Sequence, residues 1–502
     1  MSGTLQQQRR AVEQLLPVMG TLDRLGRAFE AGGFELSLVG GPVRDALLGR
    51  LAADADLDFA TSAHPEQTRA ILTSVGSRIW DVGIAYGTVG ALVDGRTCEV
   101  TSYRREEYDV DSRKPAVVYG TTLSADLSRR DFTVNAMALR LPALTLVDEF
   151  NGLADLSDAV LRTPRPAVQS FMDDPLRMLR AARFRSQLQL RPDADVIAAM
   201  SSEAGRLEIV SAERIRDELT KLLLGRDPRA GLDLLVETGI AAIVLPELPW
   251  LQLELDEHHR HKDVYEHSLT VLEQSITLES AHEPAVEPDL VLRLAALLHD
   301  IGKPRTRRFE DDGRVSFHHH EMVGARMARK RLQALRYPKE LTEDVCRLVE
   351  LHLRFHGYAS GEWTDSAVRR YVRDAGDLLP RLHKLTRADC TTRNRNRAAK
   401  LQRDYDHLER RIAELAEQEQ LAALRPDLDG SAIMAILDIP PGPDVGAAYR
   451  FLMELRLDRG PLEPAEAERA LRDWWLRRGS ATEDLDQREK AERQQGQEHD
   501  SP

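Results

Sequence analysis

The chain of 502 residues contains little cysteine and no long apolar run. Its three cysteines, Cys98, Cys346 and Cys390, lie far apart and form no Cys-x-x-Cys pair, which argues against a disulfide framework and against structural zinc. No stretch approaches the roughly 20 apolar residues that a membrane span needs. The first residues, MSGTLQQQRRAVEQLL, lack the apolar core of a signal peptide. We therefore expect a cytoplasmic protein.

The sequence also lacks an excess of basic residues: 82 acidic residues outnumber 69 basic ones, so the formal net charge is −13. That value argues against a nucleic-acid partner, but it averages over the whole chain. Residues 161–191 contain seven arginines against two aspartates, and DCTTRNRNRAAKLQR is a second basic stretch. Such patches can hold a polyanion while acidic surfaces elsewhere keep the chain soluble. Solvated helical faces are the alternative interpretation.

The residue pattern predicts a multidomain protein, α/β at its start and all-helical afterwards. Spaced leucines indicate an N-terminal helix, and β-rich runs follow it. Amphipathic helices dominate after Thr163 and Pro164, and the last residues have the low apolar content that is typical of disorder. The predicted division is an N-terminal helix (1–30), an α/β head (31–160), a helical neck (161–255), a histidine-rich helical region (256–400), a charged helical region (401–480) and a disordered tail (481–502).

Two aspartates follow a glycine pair in the stretch VGGPVRDALLGRLAADADLDFATSAHP. Side chains at i and i+2 of a strand share one face, so Asp56 and Asp58 are predicted to point together. Two such carboxylates can bind Mg²⁺, which activates a hydroxyl nucleophile and neutralises a triphosphate. Glu99, in the strand predicted over TCEVTSY, is the candidate third carboxylate. The N–H groups of Gly40 and Gly41, at a strand–turn–helix junction, can approach phosphate oxygens.

Further motifs follow in order between about residues 35 and 225: LVGGPVRDALLG, DLDFAT, EVTSYRREEYDVDSRKP, RRDFTVNAMA, DEFNGLADL, DDPLRMLRAARF and SAERIRDEL. In this combination the sequence resembles the bacterial class II tRNA nucleotidyltransferase and poly(A) polymerase family. It departs mildly at residues 113–115, where Arg-Lys-Pro replaces the Arg-His-Pro of many relatives. The resemblance implies a polymerase-β-like nucleotidyltransferase head, a mixed sheet with helices, followed by helical domains. It also implies CTP, ATP and the 3′ end of tRNA as partners and Mg²⁺ as cofactor.

The same resemblance implies roles for individual residues. Asp56 and Asp58 would hold the catalytic metal ions. The residues expected to bind nucleotide are Gly40, Gly41, Arg44, Asp45, Arg130, Asp131, Asn135, Asp174, Arg177, Arg180 and Arg183. Those expected to hold RNA are Arg162, Arg165 and Arg185.

One pair in that set has a chemical rationale of its own. Asp174 and Arg177 are three residues apart on a predicted helix, and therefore neighbours on one face. Together they offer acceptors and donors for the edge of cytosine or adenine. A surface ion pair is the plain alternative.

Histidine is concentrated in the predicted helical region 256–400. LAALLHDIGKP places His299 and Asp300 where an apolar helix ends, with His267 upstream in DVYEHSL and Asp389 downstream in LTRADCTTRN. This quartet resembles the HD phosphohydrolase superfamily. The resemblance implies a divalent metal ion that binds phosphate esters and activates water.

Other histidines of this region are weaker candidates. His320 and His352 resemble further ligands of the two-metal members of the superfamily. For His318, His319 and His356 a structural role is favoured, since a lone histidine is more often a packing or hydrogen-bonding residue.

Three functions are compatible with these motifs. The favoured one is addition of CMP and AMP (CCA) to the 3′ end of tRNA, with an attached HD domain of phosphohydrolase type. The second is a poly(A) polymerase, or an enzyme that adds only A or only CC. The third is an HD phosphohydrolase with a degenerate RNA-binding head, against which the intact carboxylates of the head argue.

Overall fold

A computed structural model of the chain describes residues 10–81, 87–107, 116–119, 122–253, 264–280, 287–311, 315–355, 358, 363–391, 394–419 and 427–478. The described residues divide into two compact units. The first comprises those up to Tyr265, with 288–290 and 330–342. The second comprises those within 266–287, 291–329 and 343–502.

A seven-stranded mixed sheet forms the centre of the head. Its strands, named in chain order, are β1 (Leu36–Val39), β2 (Leu57–Thr61), β3 (Arg78–Trp80), β4 (Thr88–Val93), β5 (Arg96–Ser102), β8 (Ala138–Leu141) and β9 (Thr145–Val147). The strands lie in the order β3-β4-β5-β2-β1-β8-β9. The β2–β5 pair is parallel, and the other neighbouring pairs are antiparallel. A separate hairpin pairs β6 (Arg104–Glu107) with β7 (Ala116–Tyr119).

Local sequence explains the elements that border the head site. The helices here are α1 (Met19–Ala31), α2 (Gly41–Leu48), α3 (Pro65–Val75), α4 (Leu123–Ser128) and α5 (Gly152–Ser157). Every residue of β1 is buried, as expected for a central strand. Gly40 follows it with φ +73°, a conformation that costs glycine little. Pro42 occupies the first turn of α2, and Gly49 ends the helix in the left-handed region.

The neck consists mainly of helices packed on one another. They are α6 (Ala167–Asp173), α7 (Leu176–Leu188), α8 (Ala194–Glu203), α9 (Ala212–Leu223), α10 (Pro228–Glu237), α11 (Ala241–Val244) and α12 (Glu247–Trp250). Helix α7 packs against both α9 and α10. Most of its residues are buried, including the basic Arg177 and Arg183. The neck therefore carries charged groups in its interior.

The second half of the described chain is again mainly helical. Its helices are α13 (Val264–Ser280), α14 (Leu290–Leu298), α15 (Lys303–Thr306), α16 (His320–Ala334), α17 (Lys339–Leu351), α18 (Asp365–Ala375), α19 (Leu379–Asp389), α20 (Arg395–Glu419), α21 (Gly430–Leu437) and α22 (Pro443–Arg459), with a final helix over 464–478. A small core around Ile433, Ala448 and Leu471 joins the last three helices. No helix of the described part is long and apolar enough to cross a bilayer.

The fold confirms the predicted mixed sheet followed by mainly helical regions, with two corrections. Strands do not stop at Thr163. β10 (Val160–Leu161) pairs with β11 (Arg191–Pro192), and β12 (Arg308–Phe309) pairs with β13 (Val315–Ser316). The predicted N-terminal helix is interrupted by a 3-10 turn over Leu16–Val18, which contains Pro17, whose ring cannot continue the helix ladder. The two short strand pairs depend on pairing that no local pattern reveals, whereas the turn follows from the proline.

The predicted domain boundaries stay predictions. The expected disordered tail, 481–502, lies outside the described residues, as does His356.

Gly152 lies where two segments of the head pack closely against each other. A Cβ on Gly152 would lie 2.3 Å from the carbonyl oxygen of Thr133, which belongs to the RRDFTVN motif. On the exposed Gly20, a Cβ would meet nothing within 4 Å. The absence of a side chain at Gly152 therefore allows two motif-bearing segments to touch.

We expect Gly152→Ala to lower the free energy of unfolding of the head by about 1–3 kcal/mol, the usual cost of overpacking. Gly20→Ala, the matched control, should leave the melting temperature unchanged or slightly raised, because alanine favours a helix. Thermal unfolding followed by circular dichroism measures both. Equal melting temperatures for the two variants would contradict the packing argument.

Candidate functional sites

Three carboxylates lie where β2 and β5 run side by side. Asp56 directly precedes β2, Asp58 lies on it, and Glu99 is the β5 residue opposite Asp58. All three residues keep exposed surface, although protein atoms surround the Asp58 carboxyl group, whereas Leu57 and Phe59 are buried. The shared face predicted for the aspartates therefore holds.

The surroundings of Asp58 favour a cation. Protein atoms crowded around its carboxyl group, together with the negative charges of Glu99 and Asp56, raise its pKa to about 6, against the opposing effect of Arg130. An all-oxygen donor set with uncompensated negative charge fits Mg²⁺. The carboxylate oxygens of these three residues lie farther apart than the ligand atoms of the two histidine–aspartate groups of the second unit, which are described below.

The glycine turn lies next to a guanidinium group. A Cβ on Gly40 would lie 3.2 Å from Nη1 of Arg130, so a larger residue there would crowd this arginine. Arg130 donates to Asp126 (3.0 Å), a carboxylate that is 1% exposed and also pairs with Arg129. Asp126 thus fixes two cationic side chains beside the turn.

A hydrogen-bonded network runs from α2 to the neck. Arg44 donates from Nε to Asp45 (3.0 Å) and from Nη1 to the amide oxygen of Asn135 (2.7 Å). The Nδ2 group of Asn135 donates to Asp131 (3.0 Å), and Nε of Arg180 donates to the other oxygen of Asp131 (2.8 Å). We call these five residues the charge network. It connects the three motifs VGGPVRD, RRDFTVN and DDPLRMLR.

Electrostatics show how tightly this network is compensated. Burial alone would raise the pKa of Asp131, but Arg180 and the hydrogen bonds from Asn135 and the Phe132 N–H lower it to about 2. Burial lowers the pKa of Arg183 to about 10, although Glu218 opposes this effect from 2.9 Å. The network therefore keeps its alternating charges across the neutral pH range.

An aromatic ring lies close to three guanidinium groups, two of which belong to the charge network. The guanidinium carbons of Arg44, Arg180 and Arg183 lie 5.3, 5.7 and 4.4 Å from the centre of the Phe184 ring. Cations at such distances are attracted by the ring quadrupole. Phe184 therefore lets three positive side chains share a small volume.

The expected placement of Asp174 and Arg177 on one helical face is wrong. Helix α6 ends at Asp173, Asp174 has extended backbone angles, and α7 begins only after Pro175. The Asp174 carboxylate faces Arg214 at 3.4 Å, whereas Arg177 donates to Ser170 and to the carbonyl oxygen of Arg129. Each member of the pair therefore has its own partners, because the proline interrupts the helix between them.

The three arginines expected to hold RNA all make contacts within the chain. Arg162 pairs with Asp155 and Asp193, and Arg165 pairs with Asp173. Arg185 donates from Nε to the carbonyl oxygen of Ala230 (3.0 Å). Each of them therefore has a structural contact in addition to any contact with RNA.

Six potential metal ligands converge in the second unit. His267 lies on α13, His299 and Asp300 follow α14, and Asp389 ends α19. The ligand atoms fall into two groups, within each of which all atoms lie within 4.8 Å of one another. The groups are His267, His299 and Asp389, and Asp300, His320 and His352. The quartet and both additional histidines are therefore brought together.

The histidine rings are oriented for metal binding. In His299, His320 and His352 the Nδ1 atom faces a carbonyl oxygen, which only accepts, so Nδ1 carries the proton and Nε2 offers its lone pair. The acceptors are the carbonyl oxygens of Ala296, Phe317 and Val349, at 2.8, 2.8 and 2.6 Å. The Nε2 atoms of His320 and His352 are buried and face Oδ1 of Asp300 at 3.2 and 3.9 Å, and neither makes a hydrogen bond of good geometry in the described structure. This donor set fits a pair of divalent cations.

The charges in this centre also favour a metal ion. Burial alone would lower the pKa of His299, but Asp300 and Asp389 raise it to about 9. The pKa of Asp389 is lowered by His267 and His299, although its burial acts in the opposite direction. Burial lowers the pKa of His352 to about 3. The carboxylates thus stabilise positive charge where a metal ion would be held.

Two neighbouring histidines are separated from this centre. The His318 and His319 side chains are 73% and 84% exposed. His320, one position further on, is 3% exposed. His318 and His319 are therefore not part of this centre, and their exposure also argues against the packing role favoured from the sequence.

Comparisons with known proteins agree with this architecture. Residues 36–162 match the poly(A) polymerase head domain, 189–251 match the probable RNA- and SrmB-binding site of polymerase A, and 264–394 match the HD domain. An A-adding tRNA nucleotidyltransferase from Deinococcus radiodurans is 35% identical over 447 residues, which is 87% of this chain and 95% of that protein. The chain belongs to this family of tRNA nucleotidyltransferases.

Other relatives match parts of this tRNA nucleotidyltransferase. A CCA-adding enzyme from Streptococcus sanguinis is 41% identical over 245 residues, 49% of this chain and 58% of that enzyme. The solved structure of the Bacillus stearothermophilus CCA-adding enzyme in complex with CTP shares the fold, with a TM-score of 0.63, 24% identity and coverage of 93% of this chain and 99% of that one. A Thermotoga maritima CCA-adding enzyme complexed with tRNA has a TM-score of 0.59 at 18% identity, covering 93% and 98%.

Some supporting residues of this nucleotidyltransferase were not predicted from its sequence. Asp126 could have been found, because its spacing to Arg129 and Arg130 is that of helical ion pairs. Ser170 and Glu218 left no such signal, since their arginine partners are 7 and 35 positions away.

We expect His320→Ala to remove about one equivalent of divalent metal ion from the HD region, since a missing nitrogen ligand cannot be replaced by alanine. His319→Ala is the matched control and should retain the wild-type metal content. Elemental analysis of purified protein after equilibration with excess Mn²⁺, Co²⁺ or Zn²⁺ measures both. Equal metal content in the two variants would contradict the assignment of His320.

We expect the Mg²⁺ concentration for half-maximal nucleotide incorporation to rise below pH 6. Asp58, whose raised pKa is about 6, binds a cation only when deprotonated, so acidification protonates it and weakens Mg²⁺ binding. One competing proton changes the affinity by up to about tenfold per pH unit. Asp54→Asn, a change in the neighbouring exposed loop, should keep the wild-type pH profile. A Mg²⁺ requirement that is constant between pH 5 and 7 would exclude this role of Asp58.

Proposed function

We propose that this nucleotidyltransferase adds CMP and AMP to complete the CCA sequence at the 3′ end of tRNA, in the cytoplasm. The observation that carries this proposal is the convergence of the β2–β5 carboxylates, the glycine turn and the charge network in the first unit. Such a site combines oxygen ligands for Mg²⁺ with fixed cations for a triphosphate. The match to CCA-adding enzymes over about half the chain supports the choice of nucleotides.

The reaction exchanges one phosphorus–oxygen bond for another and releases the proton of the attacking hydroxyl to solvent. The 3′-oxygen of the RNA attacks the α-phosphorus of the nucleotide, and the bond to the β-phosphate oxygen breaks, so pyrophosphate leaves. Mg²⁺ held by Asp56 and Asp58, with Glu99 beside them, would lower the pKa of the attacking hydroxyl and neutralise the phosphates.

Protein groups position the triphosphate. The backbone N–H groups at Gly40 and Gly41 face it from the start of α2, where the helix dipole favours an anion. Arg44 and Arg130 supply positive charge close to this turn. Asp45 holds Arg44 by two hydrogen bonds of 3.0 and 2.8 Å and thereby orients it. Asp131 and Asn135 contact the sugar through those hydrogen-bonding positions that the charge network does not occupy.

The nucleobase is selected by Asp174 and Arg177. Cytosine and adenine both present an exocyclic amine next to an unprotonated ring nitrogen. A carboxylate accepts from the amine and a guanidinium donates to the ring nitrogen. Uracil and guanine present a carbonyl and a ring N–H in those places, which leaves both protein groups without a partner. Arg180 supports this selection through the charge network, and Arg183 lies against the Phe184 ring beside that network.

The RNA is held mainly through its phosphates and shape. Arg162 is the best placed of the predicted contacts, because its side chain stays 49% exposed while paired with Asp155 and Asp193. Arg165 and Arg185 contribute by keeping the neck in place.

Addition of A alone is the second candidate. The observation that favours it is the match to the A-adding enzyme, which extends over 87% of this chain, whereas the match to the Streptococcus sanguinis CCA-adding enzyme covers 49%. Long poly(A) synthesis is a further alternative, because the head motifs are shared. A degenerate head would have lost at least one of its carboxylates, and Asp56, Asp58 and Glu99 are all present.

The HD centre is proposed to hydrolyse phosphate esters. Divalent metal ions held by the two ligand groups would polarise a phosphoryl oxygen and activate water. Lys303, whose Nζ lies 2.9 Å from Asp300, provides a cation beside the centre.

A single assay separates the alternative nucleotide additions. We expect a tRNA lacking its CCA end to gain two nucleotides with CTP alone and three with CTP and ATP together, as read on a sequencing gel. The paired change Asp56→Asn and Asp58→Asn should abolish every addition without lowering the melting temperature. This control ties incorporation to the head.

Other product lengths would reassign the enzyme. Extension by one nucleotide only when the acceptor already ends in CC would establish an A-adding enzyme. A long ladder with ATP alone would establish a poly(A) polymerase. No extension in any lane would overturn the proposed nucleotide addition.

A further inference from the structure

Ser170 contacts both members of the proposed nucleobase-selecting pair. Its hydroxyl oxygen accepts a hydrogen bond from Nη1 of Arg177 at 2.7 Å. Its backbone carbonyl accepts the N–H of Asp174 at 3.2 Å. The side chain is 1% exposed, so water does not compete for these contacts.

The Arg177 guanidinium is fixed from two directions. The Ser170 hydroxyl holds Nη1, and the carbonyl oxygen of Arg129 holds Nη2 at 2.6 Å. Because a guanidinium is planar, two bonds to different nitrogens determine its orientation. Both acceptors are uncharged, so the positive charge of Arg177 is not neutralised by them, and its remaining N–H groups keep defined directions.

Orientation matters more than presence for a base-selecting group. A guanidinium free to turn can place an N–H against the carbonyl oxygens of uracil as well as against the ring nitrogen of cytosine. A fixed guanidinium leaves its donors and the Asp174 carboxylate in the one arrangement that suits an amine next to an unprotonated nitrogen. The group that fixes Arg177 therefore contributes to selection without touching the base.

We propose that Ser170 is a positioning residue that determines nucleotide specificity: its hydroxyl orients Arg177 relative to Asp174, and thereby discriminates CTP and ATP from UTP and GTP. This inference rests on the proposed function, in which Asp174 and Arg177 select the base. Ser170 belongs to α6, outside the DDPLRMLR motif.

The experiment compares Ser170→Ala, Ser170→Thr and Ser186→Ala in the full-length chain. Ser186 is the matched control, since it is equally buried and its hydroxyl donates to the carbonyl oxygen of Leu222 (2.7 Å), a contact that does not involve Arg177. For each variant kcat and KM are measured with CTP, ATP and UTP on tRNA acceptors of defined 3′ end, and the melting temperature is recorded.

We expect Ser170→Ala to raise KM for CTP and ATP about tenfold, the order expected for losing one hydrogen bond to a charged group, with kcat changed less. Discrimination of CTP against UTP should fall by about the same factor. Ser170→Thr, which keeps a hydroxyl, should restore most of both. Ser186→Ala should lower the melting temperature and leave discrimination at the wild-type value.

Parallel measurements on Arg177→Ala distinguish two kinds of failure. If Arg177→Ala loses discrimination while Ser170→Ala keeps it, the role of Ser170 is overturned and the proposed function stands. If Arg177→Ala also keeps discrimination, base selection by Arg177 is overturned and the inference fails with it. Loss of discrimination in Ser170→Ala without recovery in Ser170→Thr would likewise overturn the role of the hydroxyl.

Discussion

The proposed nucleotide site depends on one constraint: positive side chains must alternate with negative or neutral ones along the charge network. A site for a triphosphate needs several arginines, and arginines brought together without a ligand repel one another. The chain resolves this with Asn135 and Asp131 placed between Arg44 and Arg180, and with the Phe184 ring close to the guanidinium groups. The site is therefore preorganised, and the neck is joined to the head by the same bonds.

The HD centre follows a related principle with a different chemistry. Backbone carbonyl oxygens three residues earlier in the chain accept from the Nδ1–H groups of His299, His320 and His352, which turns every Nε2 inward. A buried nitrogen without a partner is costly, and a metal ion removes that cost. In both centres the protein fixes its ligands before the substrate arrives, by means of hydrogen bonds from the surrounding backbone and side chains.

The choice of nucleotides depends on a smaller set of contacts than the transfer itself. In the proposed mechanism the carboxylates and the glycine turn handle phosphates, which all nucleotides share. Asp174 and Arg177 are the pair proposed to meet the base, and each depends on another residue for its position. Differences among relatives that add CCA or only A are therefore expected around such supporting positions, since the groups that handle phosphate have no reason to change.

Local sequence determined what depends on near neighbours. Strand alternation predicts that Asp56 and Asp58 share one face. The conformational freedom of glycine predicts the turn before helix α2, and the end of an apolar helix predicts the position of His299 and Asp300. The break between Asp174 and the helix of Arg177 was also written locally, because the residue before a proline is disfavoured in a helix, although the prediction of one shared face overlooked it. Tertiary structure alone decided that Arg177 turns to Ser170 and Arg129. A buried arginine takes the acceptor that the fold brings near it, and a single sequence does not specify which acceptor that is, because the partner belongs to another element.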